Sequence, residues 1–431
     1  MPNLSNHAAD PSIFDAEQYR CDFPILKRRV SNGVPLAFLD NAASSQRPSV
    51  VIDTMADCFE SYYANVHRGI HTLSEESTDR YEQARVATAR FVNAAEDKEI
   101  VFTAGCTAAI NTVARSWGET NLRSGDTILL TIAEHHANIV PWHQLAERIG
   151  LNVVFIPIDD KFDIADEVVL EYLDRHRPKL FSFTAASNTL GTEFPVKRWT
   201  EFGHSVGATV LVDAAQAAPH SVVDVQDWNV DFLAFSGHKV CGPTGIGVLY
   251  GKVEHLDAMP AFLGGGGMID QVTTSGFSSA ALPEKFEAGT PPIVEAIGLG
   301  AAIQYISQIG LDKIHDYERR IGAYADAGLR ELEGVRIIGP TPDRKSGIVS
   351  FLIDHAHAHD TAQSLDSFGI AVRAGHHCTM PLHDAIGATA TTRASFYFYN
   401  TFAEADRLIE AVRSTRKKFA PSGRKRRPRT G

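Results

Sequence analysis

Phe235-Ser-Gly-His-Lys239 closes an apolar run that begins at Phe232, and it leads through Gly242-Pro-Thr-Gly-Ile-Gly247 into a second run, Val248-Leu-Tyr250. A dinucleotide loop needs strand, glycine loop and then helix, whereas a strand follows here. The glycines therefore read as a tight backbone turn behind Lys239. A lysine at the end of a buried strand is costly unless it is paired, reaches solvent or is converted to an uncharged imine.

Working outward, short runs rich in Val, Ile, Leu and Phe recur at Ile100 to Phe102, Thr127 to Thr131, Val153 to Ile156, Leu180 to Phe183 and Val210 to Asp213. Runs of this length without alternation suit strands buried on both faces. Helical patterns lie between them. Thr72 and Glu75 have the spacing of a capping box ahead of Tyr81 to Phe91, and Pro141 to Arg148 reads as another helix. The expected class is α/β, a mostly parallel sheet covered by helices.

Beyond about residue 290 the texture changes to two long helical patterns, Val294 to Ile309 and Asp312 to Glu333, each ended by a glycine. A strand at Ile348 to Ile353 and a helix near Thr361 to Phe368 follow, as in a smaller C-terminal α+β domain. The expected division is 1–30 as an N-terminal segment packing with the small domain, 31–300 as the large domain, 301–415 as the small domain and 416–431 as a basic tail. Gly264 to Gly267 and the Ser, Gly and Pro-rich stretch to Pro292 read as loops.

The chain of 431 residues is 44% hydrophobic and 22% charged, which suits a globular enzyme and excludes collagenous or wholly disordered classes. Arg413 to Gly431 holds nine Lys or Arg and no acid, so removing these nine cations from a net −11 leaves the rest at −20. An acidic body argues against nucleic acid as a partner. No apolar run is long enough to span a bilayer or resembles a signal peptide, so no membrane partner is expected and the cytoplasm is the expected location. Five dispersed cysteines, Cys21, Cys58, Cys106, Cys241 and Cys378, form no CxxC pair and suggest neither a disulfide framework nor a metal site.

Val210-Leu-Val-Asp213-Ala-Ala-Gln216 places a carboxylate at a strand end, where burial demands a cation or a strong donor. Capping of the next helix would satisfy it, and so would a protonated pyridine nitrogen, held electron-poor by the pairing. Asp213-x-x-Gln216 followed by Ser236-x-His238-Lys239 resembles the class V aminotransferase superfamily of fold-type I pyridoxal-phosphate enzymes. By that resemblance Lys239 binds pyridoxal 5'-phosphate covalently, Asp213 pairs with the ring nitrogen and Gln216 bonds the ring's phenolic oxygen.

Thr103-Ala-Gly105-Cys106-Thr107 passes from strand to helix, and the free N–H groups of a helix start suit a phosphate. The resemblance assigns this cradle to Cys106 and Thr107, with Ser236 and His238 adding donors and Thr290 reaching the phosphate of a neighbouring subunit in a homodimer. In Glu134-His135-His136-Ala-Asn138, adjacent histidines on a strand would face opposite ways, so only one is expected to enter the site. The resemblance chooses His135 as ring-stacking partner and proton carrier. It also sets Asn188 near the ring oxygen and the substrate carboxylate.

Arg373-Ala-Gly-His376-His377-Cys378 gathers cationic groups around a thiol, and nearby positive charge favours the thiolate. Cys378 is thus the best nucleophile candidate of the five. The segment resembles the R-x-G-x-H-C signature of group II, Suf-type cysteine desulfurases, whose cysteine becomes a persulfide; the similarity runs from about Phe23 to Arg413. It implies L-cysteine as substrate, gripped by Arg393 and approached by Arg373. It also implies a SufE- or SufU-like sulfur acceptor leading to iron–sulfur cluster assembly. Selenocysteine lyase, cysteine-sulfinate desulfinase and a non-catalytic sulfur-transfer scaffold are the alternatives. Ala108, Ala185 and Cys241 depart from the pattern of relatives at positions expected close to the site.

Overall fold

The computed structural model describes residues 14–30 and 33–420. Seven strands form the central sheet: β1 (Ile100–Thr103), β2 (Thr127–Thr131), β3 (Asn152–Ile156), β4 (Leu180–Thr184), β5 (Thr209–Asp213), β6 (Phe232–Ser236) and β7 (Gly247–Gly251). Their order is β1-β7-β6-β5-β4-β2-β3, and β7 alone runs against its neighbours. The unalternating apolar runs are explained by burial on both faces. Phe181, Phe183, Val210, Val212, Leu233 and Phe235 feed one core cluster, while Leu180, Leu211, Phe232 and Ala234 feed the opposite one.

Helices cover both faces, among them α1 (Thr72–Phe91), α2 (Cys106–Val113) and α3 (Val140–Ile149). The expected capping box at Thr72 is absent. Thr72 is already helical, and the cap is His71, whose ring accepts from the Ser74 N–H. Because the cap lies one residue earlier, Glu75 falls outside the position from which it would reach back.

The apolar side chains of helix α4 (Ile293–Ile309) all pack in or against the first core, and Gln304, Ser307 and Gln308 form its exposed side. At Gly310 (φ 95°) the chain bends by 74° into α5 (Leu311–Arg330). In α5, Leu311 and Ile314 still pack in that first core, whereas Tyr317, Ile321, Ala325 and Leu329 belong to a separate cluster. The core therefore changes inside α5 rather than at residue 300. That second core lies against an antiparallel sheet ordered β8-β9-β11-β10, made of β8 (Val335–Ile338), β9 (Ile348–Ile353), β10 (Arg373–Gly375) and β11 (Thr391–Ser395). The N-terminal segment bridges the two: Ala16 packs in the second core, Phe23 and Leu26 in the first.

Two further expectations are corrected. The glycine-rich stretch is not all loop, since Ile269–Thr273 and Gly276–Ser279 pair as a hairpin that leaves Val272 and Phe277 exposed. The last helix, α6 (Phe402–Phe419), runs into the stretch expected as a tail from 416, because its buried face extends to Thr415 and basic residues suit a helix C-terminus. Residues 421–431, which carry the basic cluster, lie outside the described residues. Among the described residues no single helix is long and apolar enough to cross a membrane.

Candidate active site

The parallel strands β4, β5 and β6 end together, and the loops leaving them meet the small sheet around a cavity of about 520 Å³. Its wall includes Lys239, Asp213, Gln216, His135, Cys106, Thr107, Asn188, Ser236, His238, Arg373, Arg393 and Cys378. Of the expected site residues, only Thr290 is not in this wall; it is exposed.

Lys239 ends a single helical turn, Gly237–Lys239, that directly continues β6. The turn is tight because Gly237 N–H donates to Ile246 O and a side chain at Gly242 would meet Gly237 O at 2.8 Å. Burial lowers the amine pKa of Lys239, and Asp213 and Cys106 act against that. This favours an uncharged, nucleophilic amine.

Asp213, at the end of β5, is buried, and its Oδ1 accepts from Ala215 N–H (2.9 Å) and from the Cys106 thiol (3.4 Å). Burial beside Asp213 pushes the Cys106 thiol well up, so it is a neutral donor. Among the described residues no hydrogen bond reaches Asp213 Oδ2. Gln216 Nε2 donates to Ala42 O, while its buried Oε1 has no partner.

The N-terminus of α2 faces the same space. Cys106 N–H donates to Ser236 Oγ at 2.9 Å, fixing the start of the helix against the end of β6. Gly105 adopts φ 140°, and a side chain on Gly247 opposite would meet Gly105 Cα at 2.4 Å. These glycines let three backbones approach one point.

Both adjacent histidines line the cavity, contrary to expectation. They lie past the end of β2, where His135 caps and His136 opens a 3₁₀ turn, His136–Asn138, so the alternation of a strand no longer applies. His135 Nδ1 accepts from Ala137 N–H, which puts the ring proton on Nε2, and burial beside Lys239 lowers the His135 pKa to about 4. Sequence reasoning passed over Glu134. Its buried carboxyl group accepts from Thr131, Asn138 and Thr184 and anchors this turn, and burial raises its pKa to about 8. Asn138 at i+4 from Glu134 was the available signal.

Cys378 is exposed at the cavity mouth, on a turn between β10 and the helix Met380–Ala385, and both His377 and Cys378 have positive φ. Its neighbours differ from the expected arrangement. His377 is buried against Thr391, and burial with Arg393 nearby lowers its pKa to about 2, so it is neutral. Positive charge comes instead from Arg373 and Arg393, each of which a thiolate at Cys378 would stabilise. Arg373 grips Asp40 through Nε and Nη2. Arg393, on β11, donates to Asn188 O (2.8 Å) and to Asp40 (3.3 Å), and its buried Nε has no partner. Asn188 in turn donates from Nδ2 to His377 O at 2.7 Å. The departures Ala108, Ala185 and Cys241 are not among the residues of the cavity wall.

These features test whether pyridoxal phosphate fits. The wall offers an amine of lowered pKa, a carboxylate oxygen without a donor, an orphaned amide oxygen, an orphaned guanidinium N–H and a helix start beside the Ser236 hydroxyl. That donor set matches an aldehyde, a ring nitrogen, a phosphate and an amino acid carboxylate.

The aminotransferase class-V family model matches residues 37–408. A protein of Streptomyces coelicolor, named a probable cysteine desulfurase, is 46% identical over 418 residues, spanning 95% of this chain and 99% of its own. A cysteine desulfurase of Haloferax volcanii is 44% identical over 418 residues, spanning 94% and 98%. Among solved structures, a cysteine desulfurase of Escherichia coli superposes with a TM-score of 0.86 at 37% identity, over 94% of this chain and all of that one. One from Thermococcus onnurineus superposes at 0.88 with 39% identity, over 93% and 98%.

Proposed function

From the premise that this chain belongs to the class V aminotransferase family, we propose that it is a pyridoxal-phosphate-dependent cysteine desulfurase, converting L-cysteine to L-alanine with a persulfide left on Cys378. One observation carries the reading: the amine of Lys239 and the thiol of Cys378 open into one cavity, with Asp213 and Arg393 in the same wall. When bound, the cofactor supplies an electron-accepting ring that stabilises negative charge at the substrate α-carbon.

In this proposal Lys239 holds the cofactor, Asp213 Oδ2 serves the ring nitrogen, Gln216 and Asn188 serve the ring oxygen, and His135 covers the ring. The Thr107 main-chain N–H, with Ser236 and His238, holds the phosphate, and the Cys106 N–H fixes the Ser236 hydroxyl beside it. Arg393 Nε takes the substrate carboxylate, and Arg373 adds charge at the mouth. Lys239, freed when substrate binds, removes the α-proton, and its lowered pKa suits that task. His135 Nε2 is the ring nitrogen left to carry a proton.

The Cys378 thiolate then attacks the substrate sulfur. A sulfur–sulfur bond forms as the carbon–sulfur bond breaks and the electron pair stays with the β-carbon; one proton taken up there and one returned to the α-carbon by Lys239 complete L-alanine. An exposed cysteine leaves the persulfide open to an acceptor of the SufE or SufU kind, for iron–sulfur cluster assembly in the cytoplasm. The division of the chain into a large and a small domain, with the boundary inside α5, belongs to the same proposal. So does a homodimer, which is supported by exposed Phe59, Tyr63, Ile70 and Leu73 and by Thr290 standing outside its own chain's cavity.

The test supplies purified holoenzyme with L-cysteine and a thiol reductant. Equimolar alanine and sulfide, with one extra sulfur on the Cys378 peptide before reduction, are expected. Cys378→Ser that still releases sulfide from L-cysteine at the wild-type rate would refute the persulfide route.

A further inference from the structure

The turn that carries Cys378 is locally strained: His377 and Cys378 are consecutive non-glycine residues at φ 51° and 59°. Such a turn keeps its shape only where its surroundings hold it. Its local bonds are those of Thr379, whose N–H and hydroxyl both donate to His376 O at 2.8 Å. From elsewhere, the His377 ring bonds Thr391 and the Thr379 hydroxyl bonds Thr189, and three further bonds reach the main chain of the turn. Asn188 donates to His377 O, His136 N–H donates to Cys378 O at 2.8 Å, and His136 Nε2 accepts from Met380 N–H at 3.0 Å.

Two of the three outside anchors of the main chain thus belong to one residue, at Cys378 O and Met380 N–H. The acceptor matters because Met380 opens a helix whose next residue, Pro381, has no N–H. His136 meets this need only as a neutral ring, and burial and His376 lower its pKa. It opens the 3₁₀ turn that His135 caps, and that turn is anchored by Glu134 through Asn138.

We propose that the His136 imidazole is a positioning residue that clamps the Cys378 turn to the loop bearing His135, so that thiol and bound substrate keep one geometry. The inference rests on the desulfurase reading for its rate effect, but the clamp itself does not.

Holoenzyme of His136→Ala and His136→Gln tests it, since glutamine offers Oε1 in place of Nε2 while both variants keep the backbone N–H. For His136→Ala, kcat with L-cysteine is expected to fall about tenfold, while KM and the cofactor Kd stay within about twofold. Hydrogen exchange at the Met380 amide is expected to quicken about fivefold on loss of one hydrogen bond. His136→Gln restores both. The proposal is overturned if His136→Ala leaves kcat or Met380 exchange at the wild-type value, if His136→Gln is as impaired as His136→Ala, or if the loss of kcat follows a matching loss of cofactor. Wild-type enzyme that makes no alanine would refute the desulfurase reading instead, and exchange at Met380 would still decide the clamp.

Discussion

Arg393 Nη2 stands 3.3 Å from Asp40 Oδ1, and this pairing orients a guanidinium that is only 2% exposed. Asn188 O takes Nη1, so the fork is held through both terminal nitrogens while the buried Nε has no partner. A lysine would keep the charge and lose the fork. Arg393→Lys is therefore expected to raise KM for L-cysteine about tenfold or more, with cofactor binding retained. Steady-state kinetics beside a cofactor titration check this.

Glu134 gives a pH dependence whose sign is fixed by burial. Its carboxyl pKa rises from the ordinary carboxylate range to about 8, so between these values the folded protein binds more protons than the unfolded one. Its contribution to stability is full below the unfolded value and is lost as pH rises through about 8. Urea midpoints at pH 5 and pH 8.5 should fall between the two for wild type, and Glu134→Gln should lessen that fall. An unchanged difference would contradict the assignment.

Gly247→Ala tests the phosphate cradle. The added methyl would meet Gly105 Cα at 2.4 Å and Phe235 O at 2.7 Å, backbone on both sides. The expected result is a loss of about 1–3 kcal/mol in stability. With it comes a weaker hold on pyridoxal phosphate, read as a raised Kd in a fluorescence titration. Gly264→Ala, where nothing lies within 4 Å of the added carbon and φ is outside the left-handed region, is the control.

What could be read along the chain was what short-range chemistry specifies. The apolar runs from Ile100 to Phe235 became strands within a residue or two, because burial on both faces leaves no room for polar alternation. The Ile269–Thr273 hairpin escaped because an exposed pair of strands needs no apolar pattern. His135 and His136 were misjudged by applying strand geometry to residues that lie past the strand's end. The links Arg393–Asp40, Asn188–His377 and His136–Met380 join residues far apart in sequence, so spacing carries no trace of them. They arise only when the small sheet closes over the ends of β4 to β6.

The central claim is that Lys239 binds the cofactor and that substrate sulfur passes from this cavity to Cys378. Borohydride reduction of the purified holoenzyme followed by peptide mass analysis tests it most directly. The account predicts the cofactor mass on the Lys239 peptide, its absence in Lys239→Ala and no alanine from that variant. Cofactor attached at another lysine, or full alanine production by Lys239→Ala, would contradict it.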